Sequence, residues 1–265
     1  MVRCNKNIKR YKPNSLGSLY VNEAIDTKDG RPIIYIGGQV EHRAHVIENK
    51  VINNKFDDFF VAKWVYEYPI GRNIQDSNAR NFAKNLLAAL KEAKLYDVDI
   101  ISHSFGGMIA SYASTDPCIH RVYAVHPPIL GTPLANPGVF EEYRKKMSLY
   151  QNTLYQIMKR LINTGYGFEQ DSFNGVDFSE VDLNKLLVIG GYIDTEFEKS
   201  KFYLALSEMI TLYNMQKNDG IVTFDEEIFK KIGINYLKQD GCINHTQSGS
   251  EIVLSRVRKM AKKGM

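Results

Sequence analysis

Cysteine and tryptophan are scarce in this sequence, which has three cysteines and one tryptophan among 265 residues. Cys4, Cys118 and Cys242 are an odd number at no metal-ligand spacing, so they predict reduced thiols and not a disulfide framework or a zinc site. No apolar run reaches the roughly 18 residues that a membrane helix needs, and no apolar core of a signal peptide stands near the start. We expect a soluble, cytoplasmic protein without a transmembrane segment, although a secreted protein trimmed from a precursor would give the same pattern.

The chain also lacks a strong charge of either sign, since its formal net charge at pH 7 is +4. Its basic residues gather at the two ends, as Arg3, Lys6, Lys9, Arg10 and Lys12 at one and as Arg256, Arg258, Lys259, Lys262 and Lys263 at the other. Such ends are usually solvated, and no nucleic-acid-binding motif accompanies them. We therefore predict no nucleic-acid partner; the sequence leaves the oligomeric state open.

Short apolar runs alternate with helical stretches from about residue 31 onward. The predicted strands are 33–36, 59–68, 98–101, 119–125, 185–189 and 234–237, and the predicted helices are 77–94, 106–114 and 248–262. Apolar strands separated by helices predict an α/β fold with a mainly parallel central sheet and helices on both faces. Because the chemistry of such a sheet lies beyond the carboxyl ends of its strands, we expect Gly37-Gly38-Gln39, Ser104 and His126 at one edge.

One segment interrupts this alternation, between His126 and Lys185. Its apolar residues recur at helical spacing and predict one helix of about 22 residues, with a stripe of Phe140, Tyr143, Met147, Tyr150, Leu154, Ile157 and Leu161. We expect residues 138–183 to form a cap, or lid, inserted in a single domain of residues 1–265. The stripe either packs permanently on the body or roofs the site and lifts, and the glycines at 165, 167 and 175 favour the second.

The sharpest local signal is the sequence Ser-His-Ser-Phe-Gly-Gly at 102–107, in which an apolar strand runs into a tight turn and a helix follows at once. A nucleophile at the tip of such a turn brings the backbone on either side into close approach, so small residues are needed two positions before and after it. Ser104 is therefore the candidate nucleophile. Ser102 stands where the usual G-x-S-x-G pattern has its first glycine.

The candidate base is His245. In folds with this kind of turn, the acid and then the histidine follow the serine along the chain. The six histidines are His42, His45, His103, His120, His126 and His245, and only the last follows every plausible acid. We expect His103 to point away from the site with a structural role, and His126 to pack near the site or to contact substrate.

Two aspartates are candidates for the acid that orients His245. Asp194 follows the strand 185–189 through a pair of glycines, close to the expected edge of the sheet. Asp219 lies in Asn218-Asp219-Gly220, a turn that exposes a carboxylate before an apolar pair. From the residues alone, both candidates stay open.

An oxyanion hole needs two backbone N–H groups close to the nucleophile. The residue after the nucleophile, Phe105, supplies one of them. The loop after the strand 33–36 supplies the other, from Gln39 or Val40, because the glycines at 37 and 38 let that loop come close to Ser104. No dinucleotide or Walker pattern is present to give these glycines a phosphate-binding role.

Taken in order, these pieces resemble the bacterial lipase and esterase branch of the α/β-hydrolase superfamily. The matching segments are the strand and glycines at 33–38, the serine turn at 102–107, Leu-Gly-Thr-Pro-Leu-Ala at 130–135, Asn-Asp-Gly-Ile-Val at 218–222 and Asn-His-Thr at 244–246. The resemblance spans about residues 31 to 262 and implies an α/β-hydrolase fold. Within that family the acid can come from an Asn-Asp-Gly turn, so the resemblance favours Asp219 over Asp194.

The resemblance also implies the reaction, which is hydrolysis of a small-molecule or lipid acyl ester through a Ser-Asp-His triad, with no cofactor. A family histidine in the oxyanion loop is replaced by Gly37. Several relatives hold a structural calcium through an aspartate just beyond the base, where this chain has Gln247 and Ser248, so we predict no metal. An acyltransferase or thioesterase remains the alternative enzyme, and a catalytically silent binding protein is the alternative from another class.

Overall fold

The computed structural model describes residues 8–25, 30–38, 62–69, 77–163, 171–194, 196–239, 244–248 and 251–264. An eight-stranded sheet lies at its centre, in the order β1-β2-β4-β3-β5-β6-β7-β8. The strands are β1 Ile8–Tyr11, β2 Ser18–Asn22, β3 Ile33–Ile36, β4 Trp64–Glu67, β5 Val98–His103, β6 Ile119–Val125, β7 Leu186–Gly190 and β8 Asn235–Lys238. β1, β2 and β4 pair antiparallel, and every pairing from β4 through β3 to β8 is parallel.

Helices connect most of these strands. The α-helices are α1 Ala79–Glu92, α2 Phe105–Ala113, α3 Leu149–Asn163, α4 Asp171–Asn174, α5 Lys201–Asn214, α6 Glu226–Ile232, α7 His245–Ser248 and α8 Glu251–Lys262. Short 3-10 helices cover Pro133–Ala135, Pro137–Lys146 and Phe178–Glu180.

Alternate side chains of each central strand enter different hydrophobic cores, as the two-residue period of a strand requires. In β3, Ile34 and Ile36 join the core formed with α1, α2 and Phe229 of α6. Tyr35 points to the other face, where Leu254 and its neighbours on α8 cover the sheet. This arrangement confirms the predicted mainly parallel sheet with helices on both faces.

The predicted elements of the central sheet agree with the structure to within a few residues. The predicted strand 59–68 is shorter, since β4 covers Trp64–Glu67 and residues 59–61 lie outside the described part. The antiparallel strands β1 and β2 were not predicted, and neither were α5 and α6. β1 is only half-buried or exposed along its length, so it lacks the continuous apolar run that marks the parallel strands.

The segment between β6 and β7 differs from its prediction. A single helix along the apolar stripe is wrong, because the chain forms a 3-10 helix at Pro137–Lys146, breaks at Met147, and continues as α3. The stripe is also not one face: Phe140 and Leu154 are buried against α5, whereas Tyr150 and Ile157 are 47% and 48% exposed. Leu161 and the glycines at 165 and 167 are not among the described side chains.

Candidate active site

Ser104 occupies a strained turn between β5 and α2. Its φ of 53° and ψ of −130° are uncommon for a residue with a side chain. A Cβ atom on Gly106 would lie 2.5 Å from the Ile36 carbonyl oxygen, and one on Gly107 would lie 2.4 Å from Pro127 Cβ. Gly106 is therefore required by the close approach of the backbone after β3, which is the steric reason that the sequence predicted for the turn, whereas Gly107 is required by the ring of Pro127.

The side chain of Ser104 contacts His245, although 141 positions separate them in the chain. The hydroxyl oxygen of Ser104 lies 2.8 Å from His245 Nε2, and His245 Nδ1 lies 2.7 Å from Asp219 Oδ2. An ionised carboxylate only accepts hydrogen bonds, so Nδ1–H donates to Asp219 and Nε2 accepts from the hydroxyl. The structure thus joins the three predicted residues in one hydrogen-bonded chain.

The turn that carries Asp219 is anchored on both sides. Asn218 donates from its side-chain amide to the Ser207 carbonyl on α5, at 3.3 Å. Thr132, in the Gly-Thr-Pro segment, donates its hydroxyl to the Ile221 carbonyl. These contacts hold the turn against two separate elements, and Asp219 is completely buried between them.

His245 opens the short helix α7, and its position is set by a capping box. The Asn244 side chain accepts from the Gln247 N–H and the Gln247 side chain accepts from the Asn244 N–H, each at 3.1 Å. This reciprocal pair satisfies two donors that a helix start leaves without partners. Gln247 stands where the resemblance has a calcium-binding aspartate in several relatives, and in this structure it fixes the backbone next to His245.

The alternative acid, Asp194, lies in a different environment. Its side chain is exposed, and Oδ1 accepts a hydrogen bond from the Glu196 backbone N–H at 3.0 Å, as in an Asx turn. The carboxylate in contact with His245 is that of Asp219.

The two predicted oxyanion donors are only partly within the described residues. Phe105 is the first residue of α2, and helix geometry leaves the first N–H groups of a helix without intrahelical partners. A Cβ atom on Gly38 would lie 2.9 Å from Ser104 Cβ, so the loop after β3 does approach Ser104. Gln39, the predicted second donor, and Val40 lie outside the described residues.

The buried surroundings shift the pKa values of Asp219 and His245, which contact each other. Burial opposes ionisation of Asp219, but His245, His126 and the hydrogen bonds to them outweigh it and hold the pKa of Asp219 well below its ordinary range. Burial lowers the pKa of His245 below 6.5, and the neighbouring Asp219 counteracts this only in part. Both directions favour a neutral His245 imidazole beside an ionised Asp219 carboxylate.

Two further histidines belong to this cluster. The expectation that His103 points away is wrong, because its ring centroid lies 5.0 Å from that of His245. His126 does more than pack near the site: its Nδ1 lies 2.5 Å from Asp219 Oδ2, the same oxygen that His245 contacts. One feature of the sequence pointed to this contact, because His126 directly follows β6 at the carboxyl edge of the sheet. The order of residues along the chain does not show that Asp219 is its partner.

His126, Asp219 and His245 are three groups of the kind that bind metal ions. Their facing atoms are 2.5 and 2.7 Å apart and point at one another as hydrogen-bond partners. A zinc ion keeps each ligand atom about 2.0–2.2 Å from itself and arranges the ligands tetrahedrally, which would force these atoms farther apart. The geometry fits shared protons, not a metal between the three groups.

Comparison with solved structures places this arrangement in a known fold. A Pyrobaculum calidifontis esterase is 12% identical, with 98% of this chain and 86% of that one covered and a TM-score of 0.52. A probable hydrolytic enzyme from Pseudomonas aeruginosa is 14% identical over 97% and 94%, with a TM-score of 0.49, and a Bacillus licheniformis lipase is 16% identical over 97% and 96%, with a TM-score of 0.47. No protein-family model and no curated protein matches the sequence.

Together with the sheet order, the likeness to the Pyrobaculum esterase shows that the chain has the α/β-hydrolase fold. This confirms the fold that the sequence resemblance implied. Fold alone does not assign a reaction. Within the described ranges, no helix combines the length and the apolar character needed to cross a bilayer.

Proposed function

We propose that the protein is a carboxylic-ester hydrolase of the lipase and esterase type, acting through an acyl-serine intermediate. The observation that supports it is the hydrogen-bonded chain from Ser104 through His245 to Asp219, set on a strained turn at the carboxyl edge of the sheet. A buried serine–histidine–aspartate contact of this geometry is the arrangement that makes a hydroxyl nucleophilic near neutral pH.

In this proposal the Ser104 oxygen attacks the ester carbonyl while His245 Nε2 accepts the hydroxyl proton. Asp219 holds the imidazole in the tautomer that leaves Nε2 free to accept and stabilises the imidazolium that forms. Backbone N–H groups of Phe105 and Gln39 receive the oxyanion, and the amino end of α2 adds a favourable dipole. His245 then returns the proton to the departing alcohol, and a water molecule hydrolyses the acyl-serine by the same route.

Residues 138–183 form the cap of this single domain in our proposal. The segment leaves the sheet between β6 and β7, just beyond the edge that carries Ser104. Its inner side packs on α5, with Phe140 and Leu154 in one cluster with Met209. Because α5 also anchors the Asp219 turn through Asn218, the cap and the acid share a support.

The test is covalent labelling of the intact protein with a fluorophosphonate, followed by location of the label and assays on p-nitrophenyl esters of increasing chain length. We expect the label on Ser104, turnover of the esters, and loss of both in Ser104→Ala with the melting temperature kept. Asp219→Asn should lower kcat on the order of 10⁴-fold, and the matched Asp194→Asn should not. A Ser104→Ala variant that still hydrolyses esters would disprove the proposal; acyl transfer to an added alcohol or thiol without hydrolysis would indicate an acyltransferase.

A further inference from the structure

His126 completes a hydrogen-bond arrangement around Asp219 that a serine–histidine–aspartate chain does not require. The carboxylate accepts four hydrogen bonds, two at each oxygen. Oδ1 accepts from the backbone N–H groups of Ile221 and Val222 at 2.9 and 2.8 Å, and Oδ2 accepts from His126 and His245 at 2.5 and 2.7 Å. Four donors match the lone-pair capacity of a carboxylate, so its orientation is fixed completely.

The other side of the His126 ring is fixed as well. Nε2 lies 2.9 Å from Oε1, the side-chain carbonyl oxygen of Gln239, which is the residue after β8. A hydrogen bond to this oxygen takes an N–H at Nε2, and the contact with Asp219 takes an N–H at Nδ1, so oxygen acceptors face both nitrogens of the ring. Gln239 is itself held by its backbone N–H, which donates to the Gly190 carbonyl at 2.7 Å.

The backbone at His126 is also unusual. Its φ of 44° lies in the left-handed region, and its N–H donates to the Ile189 carbonyl at 2.7 Å. A residue with a side chain keeps such a conformation only when its surroundings determine it, and strain of this kind gathers at functional sites. His126 thus bridges the ends of β6 and β7, the Asp219 turn and the segment after β8.

We propose that His126 is a positioning residue of this site, which orients Asp219 and acts on His245 through it. The inference rests on the proposed function of Ser104, His245 and Asp219. His126 has a second effect, because it draws on the same carboxylate oxygen as His245 and thereby weakens the stabilisation that Asp219 gives to a protonated His245. The ionisable groups that face His245 in the described part of the chain are Asp219, His103 and His126.

The direction of this effect follows from the charges. Burial lowers the pKa of His245 most, and His103 and His126 lower it further. Removal of His126 should therefore raise the pKa of His245, so that activity is lost at a higher pH as the solution is acidified. At the same time a less constrained Asp219 should lower the maximal rate.

Two substitutions separate positioning from packing. His126→Asn keeps an N–H donor near the place of Nδ1, and asparagine tolerates positive φ. His126→Leu has a similar size and no donor. The matched control is His120→Asn, at the opposite end of β6, where His120 pairs with Asp99 at 2.8 Å, well away from Ser104 along the strand. Gln239→Leu leaves residue 126 unchanged and tests the same arrangement from the other side.

The measurement is the rate of fluorophosphonate labelling of Ser104 against pH. We expect His126→Leu to lower the plateau roughly 10- to 100-fold, as for loss of a hydrogen bond to a charged group, and to move the acid limb upward. His126→Asn should recover most of the rate, Gln239→Leu should change it in the same direction by less, and His120→Asn should match the wild type. Labelling profiles with the same plateau rate and the same acid limb in all variants would overturn the proposal. So would equal losses of labelling rate in His126→Asn and His126→Leu, if these losses parallel a fall in melting temperature.

A second measurement does not depend on activity or on the folding of the Leu variant. The proton spectrum of the wild type should contain two far-downfield imidazole N–H resonances, one from each histidine bonded to Asp219. Asp219→Asn should shift both, and His126→Asn should remove one. A single such resonance in the wild type would contradict the shared carboxylate, whereas two resonances without labelling of Ser104 would contradict only the proposed function.

Discussion

The His245 imidazole must be neutral before it can accept the proton of Ser104, so its ionisation sets the acid limit of the proposed reaction. The proposed reaction needs Asp219 to be ionised and His245 to be neutral in the same buried site. Burial opposes charge on both, but Asp219 gathers four donors and stays ionised, whereas His245 has one acidic partner that it shares. The same carboxylate that stabilises the imidazolium is thus partly occupied by His126.

We predict that kcat/KM falls on acidification with a midpoint below 6.5, the ordinary pKa of histidine. The midpoint lies below 6.5 because a lowered pKa keeps His245 neutral, and therefore active, at a pH where a free imidazole is already half protonated. The profile of kcat/KM on a soluble short-chain ester measures this midpoint. Asp219→Asn provides the control, since loss of the group that raises the pKa of His245 should move the limb lower still. A midpoint well above 6.5 in the wild type would contradict the inferred balance.

Helix α3 illustrates how tertiary packing divides a stripe that looks continuous in sequence. Leu154 is 7% exposed and lies in the cluster with Met209 of α5, whereas Ile157, three residues later on the same helix, is 48% exposed. The break at Met147 separates the 3-10 helix from α3, and within α3 only the side that packs on α5 is buried, so the stripe is not one continuous face. The inner side of this segment supports α5 in the structure.

We expect Leu154→Asp to destabilise the protein by roughly 3 kcal/mol or more, because it removes buried apolar contacts and buries a carboxylate. Ile157→Asp, on the same helix with half its side chain already in water, should change stability by less than about 0.5 kcal/mol. Chemical denaturation measures both. Hydrolysis of short and long esters should fall together in Leu154→Asp; a selective loss on long esters at unchanged stability would instead assign this face to cover the acyl chain.

The antiparallel part of the sheet carries a destabilising carboxyl group. Glu67 ends β4, and burial raises its pKa to about 7, with Arg10 of β1 counteracting this in part. Its Oε1 is buried without a hydrogen-bond partner among the described residues. Since the folded state binds this proton more tightly than the unfolded state, the cost is fully present above about pH 7 and disappears below pH 4.5, the ordinary value.

Glu67→Gln should therefore raise the free energy of unfolding at pH 8, on the order of 2–3 kcal/mol at most. The gain should shrink to nothing as the pH approaches 4.5, because the wild-type carboxyl is then neutral in both states. Urea unfolding at several pH values measures the difference. The exposed Glu23, in the turn after β2, gives the matched control Glu23→Gln. A constant difference at all pH values would indicate a packing effect.

The parallel part of the sheet and the serine turn could be predicted because their causes are local. Continuous apolar runs identify strands buried on both faces, and the close approach of Gly106 to β3 demands a glycine that is visible in the sequence. The order of residues along the chain is enough to predict His245 as the base. Between Asp194 and Asp219 the residues left the choice open, and only the resemblance favoured one.

Other features depended on which distant segments meet. β1 was missed because this edge strand is only half-buried or exposed. β2 is mostly buried and paired on both sides, but it begins and ends in the polar Ser18 and Asn22 and so lacks an unbroken apolar run. His126 reaches Asp219 across 93 positions of sequence and Gln239 across 113, and no local pattern encodes a partner so far along the chain. The sequence determined which chemical groups stand at the edge of the sheet, since each ends a strand or a turn of recognisable pattern. Only the tertiary structure decided that two histidines share one carboxylate, because hydrogen-bond partners are chosen by the packing of β6, β7 and β8 side by side.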